Sequence, residues 1–260
     1  MAQQTQVSRV VTFYISWLKK FPTLRSLAHA SKADVLREWS GLGYNNRALR
    51  LHALSKIVSH KTPLPRSVEE LTELPGIGKY TAHAIACFAF NAHVGLVDIN
   101  IRRVYSRVFW KVRSGSELKP ERVTWEIAEK YLPARNAGEW NQAIMELGAL
   151  VCTARNPKCG ECPINAHCAS AFSKALAENG AVRKTKEPSF KGIPRRIYRG
   201  KILKALHHKP MTSLEIAQKV VGRFHRRDLP WIDGVLAAME RDELVTIRGT
   251  GERKQIQIAQ

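Results

Sequence analysis

The segment LPGIGKYTAHAIACFAF (Leu74–Phe90), followed shortly by VDIN (Val97–Asn100), decides the reading of this chain. Just before it, SVEELTEL opens with Ser67 and carries Glu70 three residues on, the pattern of a capping box at a helix start. The segment then reads as the end of that helix, a hairpin at Pro75-Gly76-Ile77-Gly78, and a second helix from Lys79. Gly76 and Gly78 permit backbone conformations that other residues resist and let a ligand come close. Unsatisfied N–H groups at the start of the second helix, with Lys79 beside them, form a site for an anion. A helix-hairpin-helix of this kind grips DNA phosphate through its backbone and so does not read sequence.

Asp98 is the next informative residue. It follows the apolar VGLV and precedes INIRRVYSRVF, a helix with Arg102, Arg103 and Arg107. An aspartate there can be the N-cap of that helix. Beside a basic, DNA-facing surface it can equally stabilise a cationic sugar. Cleaving an N-glycosidic bond builds positive charge on deoxyribose, as glycoside hydrolysis does, and a preorganised anion is worth several kcal/mol there.

The chain has 260 residues, 42 Lys and Arg against 22 Asp and Glu, and a formal charge of +20. Self-repulsion of that size disfavours a compact state unless a polyanion or a dispersed surface relieves it, and it points to nucleic acid. With 44% hydrophobic residues the chain suits one large domain or two small ones. No apolar run approaches the roughly 20 residues that span a bilayer, and no signal peptide is evident. A cytoplasmic, nucleoid-associated monomer is the expectation. Of five cysteines, Cys87 lies alone in a helix and reads as a small buried hydrophobe. Cys152, Cys159, Cys162 and Cys168 fall within seventeen residues, which in a reducing compartment reads as a metal site. Four thiolates suit zinc or an iron–sulfur cube, and physics alone does not choose.

Nearly everything up to residue 182 reads as helix, so the fold class is mainly α. Val7, Val10, Val11, Tyr14 and Leu18 recur at helical spacing. Ser31 is placed to cap SKADVLREW, and GLGYNNRA (Gly41–Ala48) is a glycine-punctuated turn. Composition shifts near residue 183, where the basic, proline-containing stretch 183–196 reads as a linker. Residues 197–260 then give a helix, a second helix capped by Thr212 or Ser213, and a third with Pro230 in its first turn. Two short strands around Gly249 and Gly251 complete a winged helix-turn-helix pattern. Residues 183–260 hold 18 Lys and Arg and 8 Asp and Glu. The basic wing points to DNA; the other reading is a small domain that only packs on the first.

Taken in order, MAQQTQV, GLGYNNRA, LPGIGKYTA, VDINIRRV and MELGALVCTARNPKCGECPINAHC resemble the motifs of the helix-hairpin-helix DNA glycosylases. That superfamily includes endonuclease III and the MutY-type adenine glycosylases, and the resemblance runs from Met1 to about Ala171. It implies a glycosylase domain over 1–182, with Asp98 as its catalytic carboxylate. It also implies a [4Fe-4S] cluster on Cys152, Cys159, Cys162 and Cys168, in a loop at 152–168 that serves structure and DNA binding. Bifunctional endonuclease III-like members carry a lysine where this chain has Tyr80, and that lysine attacks the sugar. A phenol forms no imine, so the resemblance implies a monofunctional enzyme using water, with Tyr80 lining the pocket. Lys79 points about 100° away around the helix and is expected at a phosphate, with Arg102 also on the DNA side. MAQQTQV resembles a segment that contacts 8-oxoguanine, which gives Gln4 and Thr5 that role. Tyr44 matches the aromatic of a second wedge loop, where the family often has another aromatic in place of Asn45. Such wedges accompany extrusion of the target base from the duplex.

The activity implied is hydrolysis of adenine mispaired with 8-oxoguanine or guanine in double-stranded DNA. Two departures bear on it. The family's glutamate that protonates adenine lies just upstream of the segment matching Met1, and a positioned acid is worth ~10²–10⁴-fold; a true start upstream is the expectation. The winged-helix candidate also stands where the family usually has a β-rich domain. Two alternatives follow. One is a thymine or uracil glycosylase acting on G mismatches, some members of which share the tyrosine before TA and the VD-x-N segment. The other is a non-catalytic DNA-binding protein that uses the winged helix.

Overall fold

Four helices open the chain: α1 (Val7–Lys20), α2 (Leu24–Ala28), α3 (Lys32–Trp39) and α4 (Asn46–Val58). The computed structural model describes residues 1–3, 5–58, 63–112, 117–173, 187–249, 251 and 254–260. Local chemistry sets the helix starts. Thr23 and Ser26 cap α2 reciprocally, each hydroxyl accepting the other's backbone N–H at 3.0 and 3.1 Å. Ser31 caps α3 by accepting from Asp34 N–H at 3.0 Å. Between α3 and α4 the chain turns on Gly41 and Gly43, at φ 104° and 76°. Inside, Trp17 meets Phe21 and Trp39 edge-on, with centroids 4.9 and 5.4 Å apart.

The middle of the chain forms α5 (Val68–Thr72), α6 (Lys79–Phe90), α7 (Ile99–Phe109), α8 (Glu121–Lys130) and α9 (Ala137–Glu146). From α9 the chain runs directly into a π-helical turn, Leu147–Val151. Only half of the expected capping box forms at α5. Ser67 accepts from Glu70 N–H at 3.3 Å, but the Glu70 carboxylate takes the Ser67 hydroxyl instead of its backbone N–H. Leu96, Ile101, Val104, Trp125 and Ile144 make the core here, and Cys87 is buried as expected.

The last third begins with a hairpin, β1 (Ser189–Phe190) and β2 (Ile193–Pro194), inside the stretch expected as linker. Lys191 and Gly192, at φ 47° and 74°, supply the left-handed turn that a two-residue hairpin needs. There follow α10 (Arg195–Ala205), β3 (Met211–Thr212), α11 (Ser213–Val220), α12 (Leu229–Arg241), β4 (Val245–Arg248) and β5 (Gln255–Ile258). Thr212 and Glu215 cap α11 reciprocally. β5 lies between β3 and β4, antiparallel to both, with Met211 opposite Ile256 and Val245 opposite Ile258. This is a winged-helix arrangement. Its third strand, only two residues long, is too short to show alternation in the sequence.

Packing divides the chain into Met1–Leu64 with Thr185–Gln260, and Pro65–Lys184. That grouping differs from the boundaries read at 182 and 197. The reason lies in α3, which is apolar on two faces. Val35 and Trp39 join the N-terminal helices, whereas Leu36 enters the core of Tyr198, Ile202, Ile216, Leu236 and Ile256. Lys32 Nζ also pairs with Glu243 at 3.0 Å, and Arg37 Nε donates to His207 O at 3.1 Å.

Candidate active site

The hairpin forms as read. Gly76 takes φ 80°, and Ile77 N–H donates to Leu74 O at 3.1 Å. Gly78 is the N-cap of α6 and supplies no side-chain capping bond, and the first turn holds no acid. A Cβ at Gly78 would meet nothing within 4 Å. The space beside Gly78 is thus open, as an anion approaching the start of α6 would need. Gly78→Ala is expected to shift stability by no more than about 1 kcal/mol, because lost N-cap preference and gained backbone stiffness oppose each other. Duplex affinity should nevertheless fall. Denaturation and DNA titration together check this, and undiminished affinity would take phosphate away from that space.

Lys79 Nζ lies 4.3 Å from the centroid of the Trp125 ring, a cation–π contact. Tyr80 is half-buried and its hydroxyl donates to Met145 Sδ at 3.5 Å. Burial, and then the Asp98 charge, push the Tyr80 phenol above its usual pKa, so it stays neutral.

Asp98 does cap α7: Oδ1 accepts from Ile101 N–H at 2.7 Å. Its Oδ2 accepts from Asn100 Nδ2 at 2.8 Å. The capping role uses one oxygen, Oδ1, so the two readings of this aspartate are compatible. From there the hydrogen bonds continue inward. Asn100 Oδ1 accepts from Arg103 Nη2 at 2.9 Å, and Arg103 Nε donates to Cys152 O at 2.8 Å. Arg103 Nη2 reaches Gly148 O at 2.5 Å. Gly148 has to be glycine, since a Cβ there would fall 2.8 Å from Asn100 Cβ and 3.0 Å from its carbonyl oxygen. Gly148→Ala is expected to cost about 1–3 kcal/mol through overpacking and to slow base release by displacing Asn100. Denaturation and single-turnover rates read both effects; a wild-type rate would detach Asn100 from the site.

One expectation is corrected. Arg103 and Arg107 do not belong to a DNA-facing surface: they are 6% and 1% exposed. Carbonyl groups draw them inward. Arg107 donates to Thr153 O at 2.7 Å and Ala154 O at 3.1 Å, and lies 3.4 Å from Cys152 Sγ. Arg102 is also tied down, with Nε donating to Lys119 O at 2.6 Å.

Cys152, Cys159, Cys162 and Cys168 ring a cavity of about 30 Å³ with Arg107, Pro157 and Lys158. Burial pushes the Cys168 thiol up, a Ser170 N–H counters it, and the other three sulfurs raise it further. Four thiolates in mutual repulsion beside a buried guanidinium are a donor set for a cationic iron core. Among the described residues no three His, Cys, Asp or Glu side chains converge closely enough for a single metal ion.

Among the described residues of the first packing unit, Thr5 and Tyr44 are brought together by Arg47, which sequence reading passed over. Arg47 Nη2 donates to Thr5 Oγ1 at 3.1 Å and Gly43 O at 3.2 Å; Nη1 donates to Met1 O at 2.7 Å and to Gln3 O. Its guanidinium also sits 5.5 Å from the Tyr44 ring centroid. Tyr44 is 62% exposed and held at φ 48°. Gln4 lies outside the described residues.

A glycine hairpin between two helices, an aspartate capping the next helix and a four-cysteine loop together define the class of fold. Residues 1–130 match the HhH-GPD superfamily base excision DNA repair proteins, and 152–168 match the iron–sulfur binding domain of endonuclease III. The chain belongs to the HhH-GPD superfamily, and its cysteine loop is a [4Fe-4S] site. It is 37% identical over 258 residues to the adenine DNA glycosylase of Mycobacterium tuberculosis, covering 95% of this chain and 79% of that protein. The human adenine DNA glycosylase is 42% identical over 171 residues, 65% of this chain and 31% of that protein. A thermostable thymine-DNA glycosylase structure aligns with TM-score 0.59 and 28% identity, over 64% of this chain and 78% of that one. A trapped endonuclease III–DNA covalent intermediate shares the fold, with TM-score 0.57 and 21% identity over 65% and 79% of the two chains.

Proposed function

We propose that this chain is a monofunctional DNA glycosylase of base excision repair, removing adenine paired with 8-oxoguanine or guanine in double-stranded DNA. The observation that carries the reading is Asp98, whose carboxylate caps α7 through Oδ1, accepts from Asn100 through Oδ2 and lies near enough to raise the Tyr80 phenol, on the unit that bears the hairpin. The adenine glycosylases it resembles support the choice of base.

The chemistry follows from these groups. N–H groups at the start of α6 hold a phosphate while the target nucleotide leaves the stack. As the glycosidic bond lengthens, positive charge grows on the deoxyribose, and Asp98 stabilises it. Water completes the substitution at the sugar. Tyr80 lines the pocket and offers no amine for a Schiff base, so the strand stays intact. Thr5, Gln4 and Tyr44 act on the opposite base and the stack, with Arg47 anchoring Thr5 and Tyr44. Cys152, Cys159, Cys162 and Cys168 would hold the [4Fe-4S] cluster, which supplies rigidity and not redox chemistry to this hydrolysis. Residues 1–182 act as the glycosylase domain, with the winged helix of 197–260 attached, in a monomer associated with the nucleoid. No helix among the described residues is long and apolar enough to cross a membrane.

A second reading draws on the 28% identity to a thymine-DNA glycosylase. Single-turnover base release from A:8-oxoguanine, A:G, T:G and U:G duplexes, with the freed base identified, separates the two. Adenine supports the proposal, thymine or uracil replaces it, and tight binding without release leaves a binding protein.

A further inference from the structure

Among the described residues of the wing, Arg248 is exposed and Lys254 is neutralised within the domain. Lys254 is paired with Asp233 of α12 at 2.7 Å. On α12, the third helix of the winged arrangement, Pro230, Gly234 and Glu240 are exposed and Asp233 and Ala237 half-exposed, with Arg241 its only cation. Small and acidic side chains on that face suit a phosphate-lined groove poorly.

Positive charge gathers instead in the turn between α11 and α12, GRFHRRD, residues 222–228. Arg223, His225, Arg226 and Arg227 are all exposed there. The one acid in the turn faces inward: Asp228, 5% exposed, accepts from Lys191 Nζ at 2.5 Å and from His225 N–H at 2.9 Å. Lys191 also donates to Arg223 O at 2.8 Å, so the β1–β2 hairpin clamps the turn. Arg223 is held at φ 50°, uncommon for a residue with a side chain. None of the described carboxylates pairs with Arg223 or Arg227. The turn is therefore a framed loop: its acid is consumed by the frame, and Arg223 and Arg227 are presented to solvent. Preorganised cations lose little freedom on meeting a polyanion.

We propose that the α11–α12 turn is a second, sequence-independent phosphate-binding surface for duplex DNA, separate from the helix-hairpin-helix. It rests on the glycosylase reading only for the choice of DNA as the polyanion. The test uses the full chain carrying Arg223→Asn and Arg227→Gln, asparagine being tolerant of the left-handed backbone. Affinity for an undamaged duplex is measured across salt concentrations. The slope of log K against log salt should flatten by about 2, at roughly 0.9 for each phosphate no longer neutralised. A control carrying Lys201→Gln and Lys204→Gln removes the same charge from the exposed side of α10 and should keep the original slope. An unflattened slope in the first variant, equal flattening in the control, or no duplex binding by the unsubstituted chain overturns the proposal. Base release by the unsubstituted chain from an A:8-oxoguanine duplex is scored separately. Flattening without base release keeps the surface and sinks the enzyme reading; base release without flattening does the reverse.

Discussion

Asp98→Asn is expected to lower single-turnover base release by about 10²–10³-fold, the scale of removing one preorganised charge-stabilising group. Stability should barely move, since asparagine caps helices as well as aspartate and its Oδ1 can keep the Ile101 N–H that now bonds at 2.7 Å. Duplex affinity should hold or rise, because an anion has left a surface that meets phosphate. The exchange also sets an amide NH₂ where Oδ2 accepted from Asn100 Nδ2. Two donors then face each other, and Asn100 cannot turn over without giving up Arg103, which donates to its Oδ1. Part of the loss is thus expected to come from disorder at Asn100. An undiminished rate would remove Asp98 from the chemistry.

The second large effect is expected at Arg107. Arg107→Met keeps the apolar stem but leaves the carbonyls of Thr153 and Ala154 without their charged donor. Hydrogen bonds to charged groups are worth about 1.5–3 kcal/mol each, and a buried acceptor left unpaired adds its own cost. We expect a loss of about 3 kcal/mol or more by denaturation, together with less iron per chain, because the same guanidinium lies against Cys152 Sγ. Arg107→Lys should recover part of both. Full iron content with unchanged stability would mean that the loop is held by its other contacts, such as Ser170 N–H to Arg107 O at 3.1 Å.

The features legible in the sequence are those whose causes are local. The hairpin glycines, the Ser31 and Asp98 caps and the four-cysteine spacing each act within a few residues, so their chemistry is visible in a short window. Arg103 and Arg107 were not legible, because composition counts them as cations of a surface while their partners are carbonyls more than forty residues away. Arg47 escaped for the same reason: its worth lies in meeting the N-terminal segment and the Gly43 carbonyl in space. Lys191 looked like one more charge in a basic linker, yet it is the clamp of a hairpin. Nor did the pattern of α3 reveal two buried faces, since Val35, Leu36 and Trp39 also fit a single broad apolar stripe.

That helix has a consequence for how the protein is made. Leu36 completes a core whose other buried members are encoded beyond residue 195. During synthesis the middle unit, Pro65–Lys184, is contiguous and can gather its core while the chain is still growing. The first unit cannot. Its N-terminal helices wait with one apolar face bare until the final strand, Gln255–Ile258, emerges. Vectorial synthesis therefore completes the core of the middle unit before the face of α3 that holds Leu36 is covered. The interval between the two is when a nascent chain of this design is most exposed to aggregation and most dependent on chaperones.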